Sequence, residues 1–169
     1  TNIIVGYYSV AEKLVKAIVG IFNPFSQAIF PYLSSKAVKL YELKKIYNNL
    51  LKYFIVISIC VFGVTIISHR FIYLLASGFN SEIGVLSFKI LSVLIPFSII
   101  NVIMNSFIIS LKMDRLMLLM YITVGLSFVV LCMSMTYLYD YKGTAFSIVI
   151  VEITMFIWSL MIVRKGFQN

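Results

Sequence analysis

Residues 8–35 read YSVAEKLVKAIVGIFNPFSQAIFPYLSS. A bilayer core of about 30 Å needs about 20 predominantly apolar residues in helical form, and this stretch is long enough to cross one. On a helix advancing about 100° per residue, Ser9, Glu12, Lys16, Gly20, Asn23, Gln27, Pro31 and Ser34 fall within an arc of about 100°, with Lys13 at its edge. Nearly all the other positions are Val, Ile, Leu, Ala or Phe. Polar contact between two helices needs only one or two hydrogen-bonding side chains. A stripe of full length predicts a helix that lines water or a solute. Lys16 and Lys13 would then offer positive charge to an anionic solute. The simpler reading is an i,i+4 ion pair between Glu12 and Lys16, worth tenths of a kcal/mol if wetted, but it leaves Asn23 and Gln27 unexplained.

Outward from this stretch, the chain stays apolar almost to its end. Its 169 residues are 62% hydrophobic, against about 45–50% in soluble domains. The pattern predicts an all-α, polytopic membrane helix bundle with five spans: 8–33, 53–76, 85–111, 116–138 and 145–163. Helix is required because backbone groups in lipid must pair within their own segment unless a barrel closes. Basic residues accumulate on the cytoplasmic side of membrane proteins. Here Lys36, Lys39, Lys44, Lys45 and Lys52 fill the first connection against Glu42. Lys112 and Arg115 flank Asp114 in the third, and Arg164 and Lys165 lie in the tail. The second connection has no basic residue between Arg70 and Lys89, and the fourth has Lys142 beside Asp140. This predicts a cytoplasmic C-terminus and an outward-facing Thr1, hence at least one earlier span in a longer protein. Within the 34–52 connection, Val38, Leu40, Leu43, Ile46, Leu50 and Leu51 are spaced as on an amphipathic helix, which would lie in the headgroup plane. A solvated charge run is the alternative.

Polar residues recur inside two later spans. Ser87, Ser98, Asn101, Asn105 and Lys112 fall within an arc of about 60°, in a span that Pro96 should kink. Lys89 points away from that face and can snorkel to the interface. Glu152 sits near the centre of the last span, where an ionised carboxylate costs about 2.5–3.5 kcal/mol even on the lenient scale. It must be protonated, paired or wetted, which leaves open an inter-helix hydrogen bond or a proton- or cation-coupling role. Thr123, Ser127 and Ser134 read as packing residues.

Several function classes drop out. The net charge of +8 is carried between apolar spans, unlike the solvated basic patches that bind nucleic acid. Cys60 and Cys132 lie in separate apolar runs and behave as small hydrophobes, and His69 has no neighbouring ligand, so no metal or cofactor is expected. No catalytic constellation of nucleophile and base is present, so the chain does not read as an enzyme.

The segment VGYYSVAEKLVKAIVGIFNPFSQAIFPYLSS (Val5 to Ser35) resembles the first cavity helix in the second lobe of the bacterial Wzx-type O-antigen and polysaccharide flippases. These belong to the multidrug/oligosaccharidyl-lipid/polysaccharide exporter superfamily. Asn23, Pro24, Gln27, Ala28, Pro31, Leu33 and Ser34 carry the likeness most closely. It continues through LASGFNSEIGVLSFKILSVLIPFSIINV (Leu75 to Val102), similar to the family's glycine-containing outer turn and next span, and KGTAFSIVIVE (Lys142 to Glu152), similar to the opening of its final span. Tyr32 departs from the family, which commonly places an arginine there.

The resemblance implies the C-terminal lobe of a two-lobe transporter in the bacterial inner membrane, lacking its N-terminal lobe. Such a transporter would carry undecaprenyl-pyrophosphate-linked oligosaccharide outward by alternating access around a midplane cavity. On it, Lys16 and Lys13 would meet pyrophosphate or acidic sugars, and Asn23, Gln27, Asn101 and Asn105 would bond sugar hydroxyls. With Glu12 and Ser98 these form the expected cavity set, and Glu152 is the candidate for ion coupling. A cation-coupled antiporter of the same superfamily and a membrane-embedded polysaccharide polymerase are the alternatives. The first would need more acidic cavity residues, the second a large outer loop.

Overall fold

The computed structural model describes residues 2–37, 39–79 and 81–168, and among them every regular element is a helix. Val38 and Asn80, in the first and second connections, and Thr1 lie outside the described residues. The helices are α1 (Asn2–Gly20), α2 (Asn23–Lys36), α3 (Leu40–Ile67), α4 (His69–Ser77), α5 (Glu82–Ser92), α6 (Ile95–Ser110) and α7 (Asp114–Gly166). Several are long and apolar enough to cross a membrane: the unit Ile4–Lys36, α3, α7, and α5 with α6 taken together.

The expected first span is not one unbroken helix. It divides at Ile21–Phe22, just before Pro24 at the start of α2. Proline has no N–H for the carbonyl four residues earlier, so it is favoured in a first turn and weakens the ladder elsewhere, as Pro31 does inside α2 without ending it. Ile4–Lys36 still forms one candidate span across the turn at Ile21–Phe22. The third expected span divides too, with α5 and α6 bent by 44° at Val93–Leu94. Pro96 lies in the first turn of α6, as the expected kink requires.

The second span extends in both directions. Its helix begins at Leu40, and α4 follows after a break at Ser68. A rise of about 1.5 Å per residue makes α3 about 42 Å long, more than a bilayer core demands. The amphipathic residues from Leu40 onward form its first turns, with Leu43 and Tyr47 buried. Tyr47 stacks edge-on against Phe107, with ring centroids 5.1 Å apart.

The last two expected spans are the legs of α7, which reverses where Asp140 takes the non-helical angles φ 51°, ψ −137°. Ser147 Oγ donates to the Leu131 carbonyl at 3.2 Å, Thr136 and Thr144 share a hydrogen bond of 2.8 Å, and Ser159 meets the Met120 sulfur at 3.5 Å. In a straight helix, residues 131 and 147 would lie about 24 Å apart. Gly143 allows the close approach: a Cβ there would overlap the Met135 carbonyl.

At the centre stands α6. It buries Ile95, Ile99, Ile103, Met104, Phe107 and Ile108, with α2, α3 and α7 packed around it and α1 packed on α5. Ser26 Oγ donates to the Val102 carbonyl at 3.0 Å and bonds Ser106 Oγ, tying α2 to α6. Tyr73, fully buried, fills the space beside Gly84 and donates to the Tyr7 carbonyl at 3.3 Å, joining α4 to α1 and α5. Outward faces remain apolar, as Val56, Ile59 and Val64 on α3 and Leu126, Val130 and Met133 on α7 show. Lipid contact requires such faces.

Candidate functional site

A cavity of about 400 Å³ opens where α1, the start of α2, α5, α6 and the second leg of α7 meet. Both helix breaks border it: Gly20 and Asn23 on one side, Leu91 and Leu94 on the other. Val15, Val19, Val102, Ile148 and Met155 supply apolar wall, and the polar wall is Glu12, Lys16, Asn23, Ser98, Asn101, Asn105 and Glu152. Three stretches remote in sequence thus converge on one space.

Of the expected cavity residues, Lys13 and Gln27 do not line it; both are exposed elsewhere. Gln27 lies one turn beyond Asn23 on α2, past the end of the cavity lining. Ser26 beside it turns to α6. Ser34, at the far end of the expected stripe, bonds the Pro31 carbonyl of its own helix at 2.9 Å. On the third span Ser87 bonds the Ile83 carbonyl within α5 and is absent from the cavity. It lies on α5, across the 44° bend from Ser98.

Lys16 Nζ lies 2.6 Å from Glu12 Oε1, with side chains 74% and 31% exposed. The i,i+4 pair and the cavity position both hold. The ammonium group already has a carboxylate partner, and at this exposure the pair contributes only tenths of a kcal/mol. Glu152 is the cavity's other ionisable group. Asn101 Nδ2 donates to Glu152 Oε2 over a long 3.4 Å, linking α6 to the second leg of α7, and Asn105 Nδ2 donates to the Tyr121 hydroxyl at 2.9 Å. The oxygens left over are the notable feature. Ser98 Oγ, Asn101 Oδ1 and Asn105 Oδ1 are buried without a hydrogen-bond partner, an arrangement costly enough to call for an explanation in each case.

Tyr121 and the pair Ser26–Ser106 escaped sequence reasoning. A lone tyrosine in LLMYITVG, or single serines in apolar runs, carry no periodic signal. Among the described residues no cluster of three or more His, Cys, Asp or Glu could hold a metal ion. Cys60 is exposed and Cys132 half-buried, and both are free thiols. No family model matches the chain, and neither a curated protein nor a solved structure is significantly similar to it.

Proposed function

We propose that this chain forms the C-terminal, five-span lobe of a bacterial inner-membrane transporter that moves undecaprenyl-pyrophosphate-linked oligosaccharide outward by alternating access, with its C-terminus cytoplasmic. One observation carries the reading: a cavity inside an apolar helix bundle holds carboxylates, amides and a serine from α1, α2, α6 and α7, three of whose oxygens lack a partner. Sugar hydroxyls are donors as well as acceptors, and unpaired amide oxygens beside a carboxylate suit them. Asn101, Asn105, Ser98 and Glu152 are accordingly the sugar-facing group. With Lys16 paired to Glu12, attraction of pyrophosphate falls second to hydroxyl recognition. The sequence resemblance supports the cargo, and the basic connections support the orientation.

Glu152 favours a second reading, a cation-coupled antiporter, because a carboxylate among neutral oxygens also suits a proton or small cation. Surface-polysaccharide export separates the two, measured with the protein that carries this chain in cells lacking their own flippase. Asn101→Leu, nearly isosteric but unable to hydrogen-bond, is expected to cut export at least about tenfold, the loss of two hydrogen bonds of about 1 kcal/mol each. Ser134→Ala, on an exposed face with its hydroxyl bonded to the Val130 carbonyl of its own helix, is expected to leave export intact. Normal export by Asn101→Leu at normal protein level would sink the sugar reading. Export of an organic cation in place of sugar would favour the antiporter.

A further inference from the structure

A second cavity, of about 450 Å³, lies between α4 and α5 and is lined by His69, Arg70, Glu82, Val85, Leu86 and Lys89. Glu82, Val85, Leu86 and Lys89 follow the i, i+3, i+4, i+7 pattern of a single helix face, and His69 and Arg70 open the facing helix. The site is far from the lysine-rich 34–52 connection, since α3 rises about 42 Å between Leu40 and Ile67 and Arg70 lies just beyond. The charge bias that gathers lysines at 36–52, 112–115 and 164–165 gives no reason for a cationic cleft at this end.

Among the described residues neither Arg70 nor Lys89 forms an ion pair, and both are exposed. His69 Nδ1 donates to the Ile66 carbonyl at 2.7 Å, so that nitrogen is already engaged. Arg70 and Lys89 supply the cleft's fixed positive charges. Glu82, the cleft's one carboxylate, lies in the first turn of α5, where backbone N–H groups favour negative charge. Arg70 and Lys89 together still outweigh it. Apolar side chains share the cleft and its helix: Val85 and Leu86 in the lining, Leu74 one turn from Arg70 on the same face, and Phe71 and Leu75, 67% and 77% exposed, on the adjoining face of α4.

We propose that this cleft binds the phosphate of an anionic lipid. The Arg70 guanidinium would clamp two phosphate oxygens and Lys89 add a point charge, while an acyl chain lies against Val85, Leu86 and Leu74. The cationic groups alone would also suit free phosphate; the apolar lining beside them selects the lipid. The inference rests on these helices lying in a bilayer and is independent of the transported cargo.

Native mass spectrometry of the purified protein tests it, with phosphatidylglycerol, phosphatidylcholine and inorganic phosphate in separate arms. Phosphatidylglycerol is expected to be retained about tenfold better than phosphatidylcholine and to resist displacement by millimolar phosphate. The pair Arg70→Gln with Lys89→Gln should abolish that preference, each single variant should weaken it about threefold, and Lys45→Gln should leave it unchanged. Equal retention of the two lipids, or a preference that survives the double variant, overturns the proposal. Displacement by inorganic phosphate would reveal a free-anion site and overturn the lipid assignment. If the double variant fails to fold, the two single variants decide, and unchanged preference in both overturns it. No arm measures export, so failure here is distinguishable from failure of the transport reading.

Discussion

Gly143 is the point at which the two legs of α7 touch backbone to backbone, and replacing it with alanine adds one methyl group with nowhere to go. The new Cβ would overlap the Met135 carbonyl and crowd the Thr136 amide nitrogen. Backbone atoms cannot turn aside as a flexible side chain can, so the legs must separate. Overpacking costs about 1–3 kcal/mol. Separation also strains the Thr136–Thr144 and Ser147–Leu131 hydrogen bonds, each worth about 0.6 kcal/mol within a membrane. The expected loss is about 2–4 kcal/mol. Reversible unfolding in mixed micelles, followed by fluorescence of Trp158, the sole tryptophan and a residue of the second leg, measures it. Gly125→Ala, on the first leg with nothing within 4 Å of an added Cβ, is the matched control and should be neutral or gain up to about 1 kcal/mol from helix propensity. Equal stability of Gly143→Ala and the parent, within about 0.5 kcal/mol, would refute the close contact.

Two further expectations concern the connections. Lys112 has φ 57°, and Met113 N–H bonds the Ile108 carbonyl at 3.1 Å while Lys112 N–H bonds that of Ile109 at 2.9 Å, the Schellman pattern in which glycine is preferred. Lys112→Gly should therefore stabilise the protein by about 0.5–1 kcal/mol in the same unfolding measurement, and a loss would contradict the turn geometry. In the 34–52 connection, Lys36 Nζ donates to Glu42 at 2.9 Å and Lys39 Nζ lies 3.1 Å away, and together they hold the Glu42 carboxyl below the usual carboxylate range. Because the folded value is depressed, the stabilisation is fully present above the ordinary carboxylate value and is lost as pH falls through the folded one. Amide exchange at Ala37 and Lys39, corrected for intrinsic rates, should be faster in Glu42→Gln than in the parent at pH 7, and the difference should shrink as pH falls towards 3. An identical difference at both values would refute the linkage.

Hydrophobic run length and charge bias made the helical class and its approximate boundaries legible, including the Pro96 bend and a turn near Asp140–Lys142. Facing directions were legible where the helices border the cavity. Glu12, Lys16 and Asn23 share a face across α1 and its junction with α2, and Ser98, Asn101 and Asn105 share one along α6. Arithmetic at a fixed angle per residue put Gln27, Ser34 and Ser87 on those faces too, but the cavity lining runs only from Glu12 to Asn23 on the first stretch and from Leu91 to Asn105 on the other, and no local pattern sets where a cavity ends. Glu152 was legible by cost, since a carboxylate in an apolar helix demands a partner. That the partner would be Asn101 depends on how α6 meets the second leg of α7, and no local pattern encodes that meeting.

The two helix breaks border the same cavity, and the rest of the molecule sorts around them. On one side α1 packs with α4 and α5; on the other α2 and α3 pack with α6. The bundle is thus built in two storeys, with the cavity as the landing between them. Glu12 belongs to one storey and Asn101 to the other, so anything that bridges them stitches the storeys together. The junction itself runs through two short interruptions and through the long helices α3 and α7, each of which packs on α5 as well as on α6 and so serves as a common post.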